Sequence, residues 1–270
     1  MQKKGPVAMR TAMFLLVVGA LTLLVAVQVH AGTLEAAKGR GTLIVGVRED
    51  FPPLGYLDAN GKNTGFEVDL ARYMARQLLG DEGKLQMTPV SAGSRITALL
   101  SGSVDMLIAA MTATEDRASL FAFSEPYFIS GSLLLLPRNS SIQDFRDVTG
   151  KRVAVIEGSI QEDVLEPIAP GATRVKFWRL SEAVEALQAG RVDALAEDDI
   201  LVLALARQNP DLAAVGKPVR PRPYAVAMPR GDQDLLAWVN DQLRKARADG
   251  TYDTLWKRYL GEAGAMLIRP

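Results

Sequence analysis

The chain contains no cysteine and only one histidine, His30. Without cysteine it can form no disulfide bond, and it offers no thiol nucleophile and no thiolate ligand for a metal. A form that also lost His30 by processing could use neither a Ser–His pair nor histidine ligation of zinc. These absences exclude most common hydrolase and metalloenzyme chemistries, and we expect no cofactor and no metal site.

The chain also lacks an excess of charge of either sign. It has 31 basic and 31 acidic residues among 270, for a formal net charge of zero. A basic surplus is typical of nucleic-acid binding, so we expect no nucleic-acid partner. Hydrophobic residues make up 48% of the chain and charged residues 23%, a balance typical of globular proteins with a buried core.

The first 31 residues differ in character from the rest. They begin with three basic residues, Lys3, Lys4 and Arg10. An apolar run over 12–27 follows, and small residues end the segment at Val29-His30-Ala31, an order that predicts a secretory signal peptide over 1–31, cleaved after Ala31. Cleavage would leave a net charge of −3. The alternative is an uncleaved membrane anchor, because residues 11–29 nearly reach the length of a bilayer span.

Short apolar runs alternate with helical patterns in the remainder of the chain. The runs typical of buried strands are 41–47, 104–110, 153–156 and 193–196. The helical patterns begin at Phe66 and Ile160, cover 94–101, 181–189 and 199–208, and end the chain in two segments separated by Gly250. Between the first strand and the first of these helices, 50–65 reads as loop with Asn60-Gly61 as a hairpin turn. This alternation predicts an α/β fold.

One internal match links the two halves of the pattern. Residues 99–107 (LLSGSVDML) resemble residues 187–195 (LQAGRVDAL), and in each copy a helix ends at Gly before Val-Asp opens a strand. Either the chain contains two similar α/β lobes, or the same local helix–Gly–strand chemistry arose twice. The same offset carries Ala110 onto Asp198, so both would lie at the carboxyl ends of strands, where open α/β sheets bind ligands.

The segment from Ala110 to Arg117 follows the second predicted strand and contains hydrogen-bond donors that could bind an anion. The Thr112 hydroxyl, backbone N–H groups and the Arg117 guanidinium could together bind one carboxylate, because arginine presents its donors as a fork that matches it. The alternative is a helix N-cap at Thr112 or Thr114 followed by an ordinary surface arginine.

Seven motifs in this order make the chain resemble the extracellular solute-binding proteins of polar amino-acid ABC transporters, family 3, over about residues 38–262. They are GTLIVGVREDFPPLGY (41–56), GFEVDLARYMA (65–75), MTATEDR (111–117), FSEPYF (123–128), VAVIEGS (153–159), GRVDALAEDD (190–199) and ADGTYDTLWKRYLG (248–261). The resemblance implies a two-lobed periplasmic-binding-protein fold of type II, each lobe a mixed sheet flanked by helices, joined by two hinge strands. Lobe 1 would comprise 38–130 and the returning segment 225–266, and lobe 2 would comprise 131–224.

The same resemblance implies where a ligand would lie. The α-carboxylate of an amino acid would meet Arg117, Thr112 and the backbone at Ala110 and Met111, and its ammonium group would meet Asp198. Phe51 would cover the ligand. The contacts from the second lobe would come from Ser159, Ile160 and Gln161. Ile160 departs from the threonine often found there, so only its backbone N–H is expected to contribute.

Arg48 is expected to set the choice of ligand. Members that bind basic side chains typically carry an acidic residue at the equivalent position, whereas members that resemble glutamate/aspartate-binding proteins carry arginine. We therefore predict glutamate, aspartate or glutamine as ligand. Glu49 or Asp50 could instead neutralise Arg48 by a local salt bridge, and Arg95 is a second candidate cation in the cleft unless it lies on a helix surface.

The function implied is capture of an amino acid outside the cytoplasm, in the periplasm or on the extracellular face of the cytoplasmic membrane, and delivery to an ABC transporter permease. A monomer without enzymatic activity is expected. Two alternatives remain. One is a dehydratase-type enzyme on the same fold, similar to cyclohexadienyl dehydratase, with Glu197 as general acid. The other is a sensory ligand-binding domain held in the membrane by Met1–Val29.

Overall fold

The computed structural model describes residues 32–261 and 269–270, so the predicted signal peptide lies outside the described residues. Of the helices within that range, none is both long enough and apolar enough to cross a membrane. The helices are α1 (Thr33–Arg40), α2 (Phe66–Leu79), α3 (Arg95–Leu100), α4 (Glu115–Ala118), α5 (Gln161–Ile168), α6 (Leu180–Gln188), α7 (Asp199–Gln208), α8 (Gln233–Ala248) and α9 (Thr251–Leu260).

The strands form two five-stranded mixed sheets and one small three-stranded sheet. The first sheet has the order β5 (Leu85–Pro89), β1 (Leu43–Val47), β6 (Met106–Leu107), β13 (Ala227–Pro229), β7 (Phe121–Phe123). The second has the order β10 (Thr173–Phe177), β9 (Arg152–Ile156), β11 (Ala194–Asp198), β8 (Phe128–Pro137), β12 (Leu212–Tyr224). The third contains β2 (Asp50–Phe51), β3 (Gly55–Leu57) and β4 (Asn63–Thr64).

Both large sheets follow one plan. Each contains three parallel strands, and the one that comes first in the chain (β1 or β9) lies in the middle of the three. The parallel strand that comes last in the chain (β6 or β11) is followed in the sheet by an antiparallel strand (β13 or β8). The first sheet draws on residues 43–123 and 227–229, while the second lies wholly within 128–224. The long strands β8 and β12 pair antiparallel from Phe128↔Tyr224 to Pro137↔Leu212, so both chain passages between the sheets run side by side.

The internal sequence match has a structural counterpart. Gly102 and Gly190 both adopt left-handed φ values, +71° and +67°, which end the preceding helices at no steric cost. Asp105 then accepts a hydrogen bond from the backbone N–H of Ile44 in β1, and Asp193 accepts one from that of Arg152 in β9, each at 2.8 Å. The two aspartates thus play the same part in two sheets, which favours two similar lobes over chance recurrence.

An aromatic cluster joins α2 and α9 beneath the first sheet. The Phe66 ring lies edge-on to Tyr252 and Trp256, at centroid distances of 5.4 and 6.2 Å, and stacks near Tyr127 at 6.5 Å. All four side chains are buried. Aromatic pairs at these spacings add to the hydrophobic gain from burial, so this cluster fixes the C-terminal helices against the first sheet.

Most of the predicted elements are present, with two kinds of exception. The predicted strand 104–110 is wrong in length, because only Met106–Leu107 pairs as strand. Ile108 still donates to the carbonyl of Gly46 in β1, and the chain then reaches Thr112, which bridges to Tyr224 at the end of β12. The sequence analysis did not identify α1 or the strands β5, β7, β8, β10, β12 and β13. The predicted turn at Asn60-Gly61 is confirmed between β3 and β4, with Gly61 at a φ of +72°.

Replacing Phe66 by alanine should lower the free energy of unfolding by about 3–5 kcal/mol, because it opens a cavity among three aromatic rings. The control is Leu100→Ala, which removes an exposed side chain and should change stability by less than about 0.5 kcal/mol. Urea denaturation followed by circular dichroism measures both values. Equal effects of the two substitutions would contradict the proposed role of the cluster.

Candidate ligand-binding site

The two large sheets present equivalent ends to each other. Ala110 follows β6 and Asp198 ends β11, and each strand is the third of its parallel group. Ala110 has a φ of +49°, an uncommon value for a residue with a side chain. Both residues are buried, and polar side chains from each half of the molecule gather around them.

Arg117 lies buried in α4, directly behind the end of β6. Thr114 caps this helix by accepting a hydrogen bond from the Arg117 N–H at 3.3 Å, so the predicted N-cap exists. Arg117 is nevertheless only 8% exposed, and the alternative of an ordinary surface arginine is wrong. Its Nη1 donates to the carbonyl of Thr112 at 3.0 Å and its Nη2 to the carbonyl of Gly158 at 2.9 Å. The second bond crosses to the other half of the molecule.

The Ala110 peptide is held on both sides by buried charged groups. Its N–H donates to Glu67 Oε1 at 2.8 Å, and its carbonyl accepts from Arg95 Nη1 at 2.7 Å. Tyr127 donates to the same Glu67 oxygen at 2.6 Å. Burial raises the pKa of Glu67. The only sequence signal for this residue was an acidic side chain on the otherwise apolar face of α2.

Asp198 lies at the N-cap position of α7 and is only 8% exposed. Its carboxylate accepts from Gln161 Nε2 at 3.0 Å and from the hydroxyl of Tyr224. The next residue, Asp199, instead accepts from the N–H of Gly131 at 3.1 Å. The two neighbouring aspartates therefore have different partners, and only Asp198 joins Gln161.

Arg48 is buried beside Phe51, with its guanidinium carbon 5.0 Å from the centre of the ring. Two of its nitrogens lie 2.8 Å from Asp50 Oδ1, so the local salt bridge that the sequence left open is formed. Phe51 itself is 1% exposed and belongs to the main hydrophobic core. The charge of Arg48 is thus largely balanced within the first half of the chain.

Arg95 is buried at the start of α3 and does not lie on a helix surface, so that alternative is wrong. Its Nη1 donates to the carbonyls of Ala109 and Ala110, and its Nη2 donates to the carbonyl of Gly158 at 3.3 Å. The buried Nε has no hydrogen-bond partner among the described residues. Burial lowers the pKa of Arg95, and the nearby positive charges of Arg117 and Arg48 lower it further.

Five buried ionisable side chains at this site form no ion pair with any residue in the described ranges 32–261 and 269–270. They are Glu67, Arg95, Arg117, Glu197 and Asp198. The arginines donate to neutral backbone carbonyls instead of carboxylates. Taking an ion out of water without a partner costs several kcal/mol, so such groups are typical of sites that meet a charged ligand.

The two neighbouring carboxyl groups on β11 resist ionisation. Burial raises the pKa of Glu197, and the adjacent charge of Asp198 raises it further. Burial also raises the pKa of Asp198, although the hydrogen bond from Tyr224 and the charges of Arg95 and Arg48 act in the opposite direction. The positive charges of Arg48 and Arg95, in the first half of the molecule, thus act on both carboxyl groups and favour their ionised forms.

The remaining predicted site residues are not all placed alike. The Met111 side chain is fully buried in the first sheet's hydrophobic cluster, so only its backbone is near the site. Thr112 forms a β-bridge with Tyr224. Ile160 is the N-cap residue of α5, and the Ser159 hydroxyl accepts from the N–H of Gln161 at 3.3 Å. The N-terminus of α5 therefore faces the region that contains Asp198.

The sequence matches a family model over residues 43–262, described as bacterial extracellular solute-binding proteins, family 3. Among similar proteins is the ABC transporter glutamine-binding protein GlnH of Bacillus subtilis (strain 168). It is 33% identical over 232 residues, which cover 85% of each chain.

Solved structures give the same picture. The solute receptor for L-cysteine of Neisseria gonorrhoeae superposes with a TM-score of 0.83 at 32% identity, covering 88% of this chain and 97% of the receptor. An ancestral arginine-binding protein bound to glutamine superposes with a TM-score of 0.78 at 40% identity, covering 83% of this chain and 99% of that protein.

The buried Glu197 should make stability depend on pH. A carboxyl group whose pKa is raised in the folded state binds its proton more tightly there, so its contribution to stability is present at low pH and is lost as pH rises above its ordinary value of 4.5. Glu197→Gln should therefore lose less unfolding free energy than the wild type between about pH 5 and about pH 8. Glu182→Gln, an exposed change on α6, should keep the wild-type slope. A Glu197→Gln slope equal to that of the wild type would contradict the assignment.

Proposed function

This chain belongs to the bacterial extracellular solute-binding proteins of family 3, and we propose that it captures one amino acid between its two lobes through Arg117 and Asp198. It has the two-lobed periplasmic-binding-protein fold of type II, and it is an amino-acid-binding protein of the ABC transporter class. The observation that carries the proposed site is the set of buried ionisable side chains that have no ion-pair partner in the described part of the chain and lie where the two sheets face each other.

An amino acid fits this arrangement because it is a zwitterion. Its carboxylate would accept charge-assisted hydrogen bonds from the Arg117 fork and from backbone N–H groups near Thr112. Its ammonium group would donate to Asp198, which Gln161 and Tyr224 already hold in position. Arg117 and Asp198 then each gain an oppositely charged partner, and this supplies the differential contact that favours the closed arrangement over an open one.

Closure follows from the division of the chain, which we propose as 38–130 plus 225–266 for lobe 1 and 131–224 for lobe 2. The strand membership of the two large sheets supports this division. Arg117 belongs to the first lobe and Asp198 to the second, so both ends of the ligand are held only when the lobes meet. Strands β8 and β12 would act as the hinge.

We propose a ligand with an acidic or amide side chain, namely glutamate, aspartate or glutamine. Arg95 carries a buried N–H donor that has no partner among the residues the structure describes, and Arg48 keeps further donors beyond those that bind Asp50. Both would suit a side chain that accepts hydrogen bonds. GlnH of Bacillus subtilis is named as a glutamine-binding protein, and the structure of the ancestral arginine-binding protein has glutamine bound.

The cellular role that we propose is delivery of this amino acid to the permease of an ABC transporter. The protein would be exported with residues 1–31 as a cleaved signal peptide and would work as a monomer in the periplasm or at the outer face of the cytoplasmic membrane. It would have no enzymatic activity. The competing dehydratase chemistry would require Glu197 to act as a general acid, and incubation with cyclohexadienyl substrates would reveal it as product formation.

A thermal-shift screen with the twenty amino acids tests the ligand class. Glutamate, aspartate or glutamine should raise the melting temperature most, because a ligand at about 100 times its Kd adds about 2.7 kcal/mol to the free energy of unfolding. Lysine serves as the matched cationic control and should have no effect. A screen in which none of the twenty changes the melting temperature would refute amino-acid binding.

Substitutions at the two charged residues test the proposed site. Arg117→Ala and Asp198→Asn should each weaken binding of the stabilising amino acid by roughly 100-fold, because each leaves one buried ligand charge without its partner. The control is Arg152→Ala, which removes an exposed arginine from the second sheet and should leave the Kd unchanged. Isothermal titration calorimetry measures all three. Wild-type affinity in both site variants would show that the ligand binds elsewhere.

A further inference from the structure

Gly158 lies at a point where the two lobes touch. Its carbonyl oxygen accepts hydrogen bonds from two first-lobe arginines, Arg117 at 2.9 Å and Arg95 at 3.3 Å. These are the same guanidinium groups that form no ion pair within the described residues. A neutral backbone oxygen of the second lobe thus meets both cations at once.

The backbone at Gly158 also approaches the first lobe more closely than a side chain would allow. A Cβ atom built on Gly158 would lie 2.5 Å from the carbonyl oxygen of Ala92 and 2.8 Å from the Cα of Gly93. Both neighbours are backbone atoms, which cannot swing away as a side chain can. The φ angle of Gly158 is +78°, so glycine is favoured here for a second, independent reason.

We infer that Gly158 is a positioning residue for ligand capture: its missing side chain sets how far the lobes can close, and its carbonyl orients Arg117. The guanidinium of Arg117 is held at Nη1 by Thr112 of its own lobe and at Nη2 by Gly158 of the other. Because the guanidinium is planar, two fixed donors determine the direction of the remaining N–H groups. Closure therefore aims the arginine before or as it binds a carboxylate.

This contact makes the affinity for a ligand depend on Gly158, a residue that has no side chain with which to bind one. A change that opens the lobes lowers the fraction of molecules in the binding-competent state, and the apparent Kd rises by the inverse of that fraction. That Gly158 limits lobe closure is inferred from its close approach to Ala92 and Gly93 alone. Only the expected effect on ligand affinity rests on the proposed function.

The test compares Gly158→Ala with Gly150→Ala. Gly150 lies in the same lobe with a φ of +75°, and a Cβ built there would have no neighbour within 4 Å. Both variants therefore carry the same backbone strain and should lose similar amounts of melting temperature, but only Gly158→Ala places a methyl group between the lobes. Gly93→Ala is a second control. Its Cβ would lie 3.0 Å from the side chain of Trp178, which is 69% exposed and free to move, and 3.5 Å from the carbonyl oxygen of Glu157, which is an ordinary van der Waals contact.

Small-angle X-ray scattering measures closure directly, with and without 10 mM each of L-glutamate, L-aspartate and L-glutamine (about 10 mM ensures saturation at ordinary Kd values). The wild type, Gly150→Ala and Gly93→Ala should reach the profile calculated from the present coordinates in at least one condition. Gly158→Ala should keep a larger radius of gyration in every condition. A Gly158→Ala profile equal to that of the wild type overturns the inference, as does a wild type that never reaches the closed profile.

Calorimetry with the same three amino acids separates this inference from the proposed function. Where one of them binds the wild type, Gly158→Ala should weaken it at least tenfold while Gly150→Ala changes the Kd less than twofold (about 1.4 kcal/mol corresponds to tenfold). Equal losses in both variants would mean that backbone strain alone is responsible and would overturn the inference. If none of the three binds the wild type, the proposed ligand class fails, and the scattering result still decides the role of Gly158.

Discussion

The structure depends on keeping opposite charges buried on two facing lobes without letting them neutralise each other. Arg117 and Arg95 donate to backbone carbonyls, and Asp198 accepts from an amide and a hydroxyl group. Each ion is solvated by neutral dipoles that hold it in place while leaving its net charge available. An ion pair made within the protein would have removed the reason for a zwitterion to bind.

The residues around these ions hold them in position and do not neutralise their charges. Glu67 accepts a hydrogen bond from the N–H of Ala110 and Arg95 donates one to its carbonyl. Together they stabilise a backbone conformation that a non-glycine residue seldom adopts. Gly158 then supplies the one oxygen that both arginines share across the cleft. Preorganisation of this kind lowers the ordering cost of binding, because few side chains have to move when the ligand arrives.

Much of this arrangement was predictable from the sequence because it is encoded locally. The repeated Gly-x-Val-Asp pattern placed Ala110 and Asp198 at equivalent strand ends, and the strand–loop–Arg spacing placed Arg117 behind one of them. The burial of Arg95 and the closeness of Gly158 were not predictable, because both arise where one lobe meets the other. Asp50 could be recognised as a partner for Arg48, but only the structure shows that the pair forms.

The most direct test is a crystal structure of the protein with the amino acid that stabilises it most. Our account predicts a carboxylate within hydrogen-bonding distance of the Arg117 guanidinium and an ammonium group within hydrogen-bonding distance of Asp198, with both lobes in contact with the same molecule. An amino acid bound in the reverse orientation, or bound to one lobe alone without contact to both Arg117 and Asp198, would contradict it.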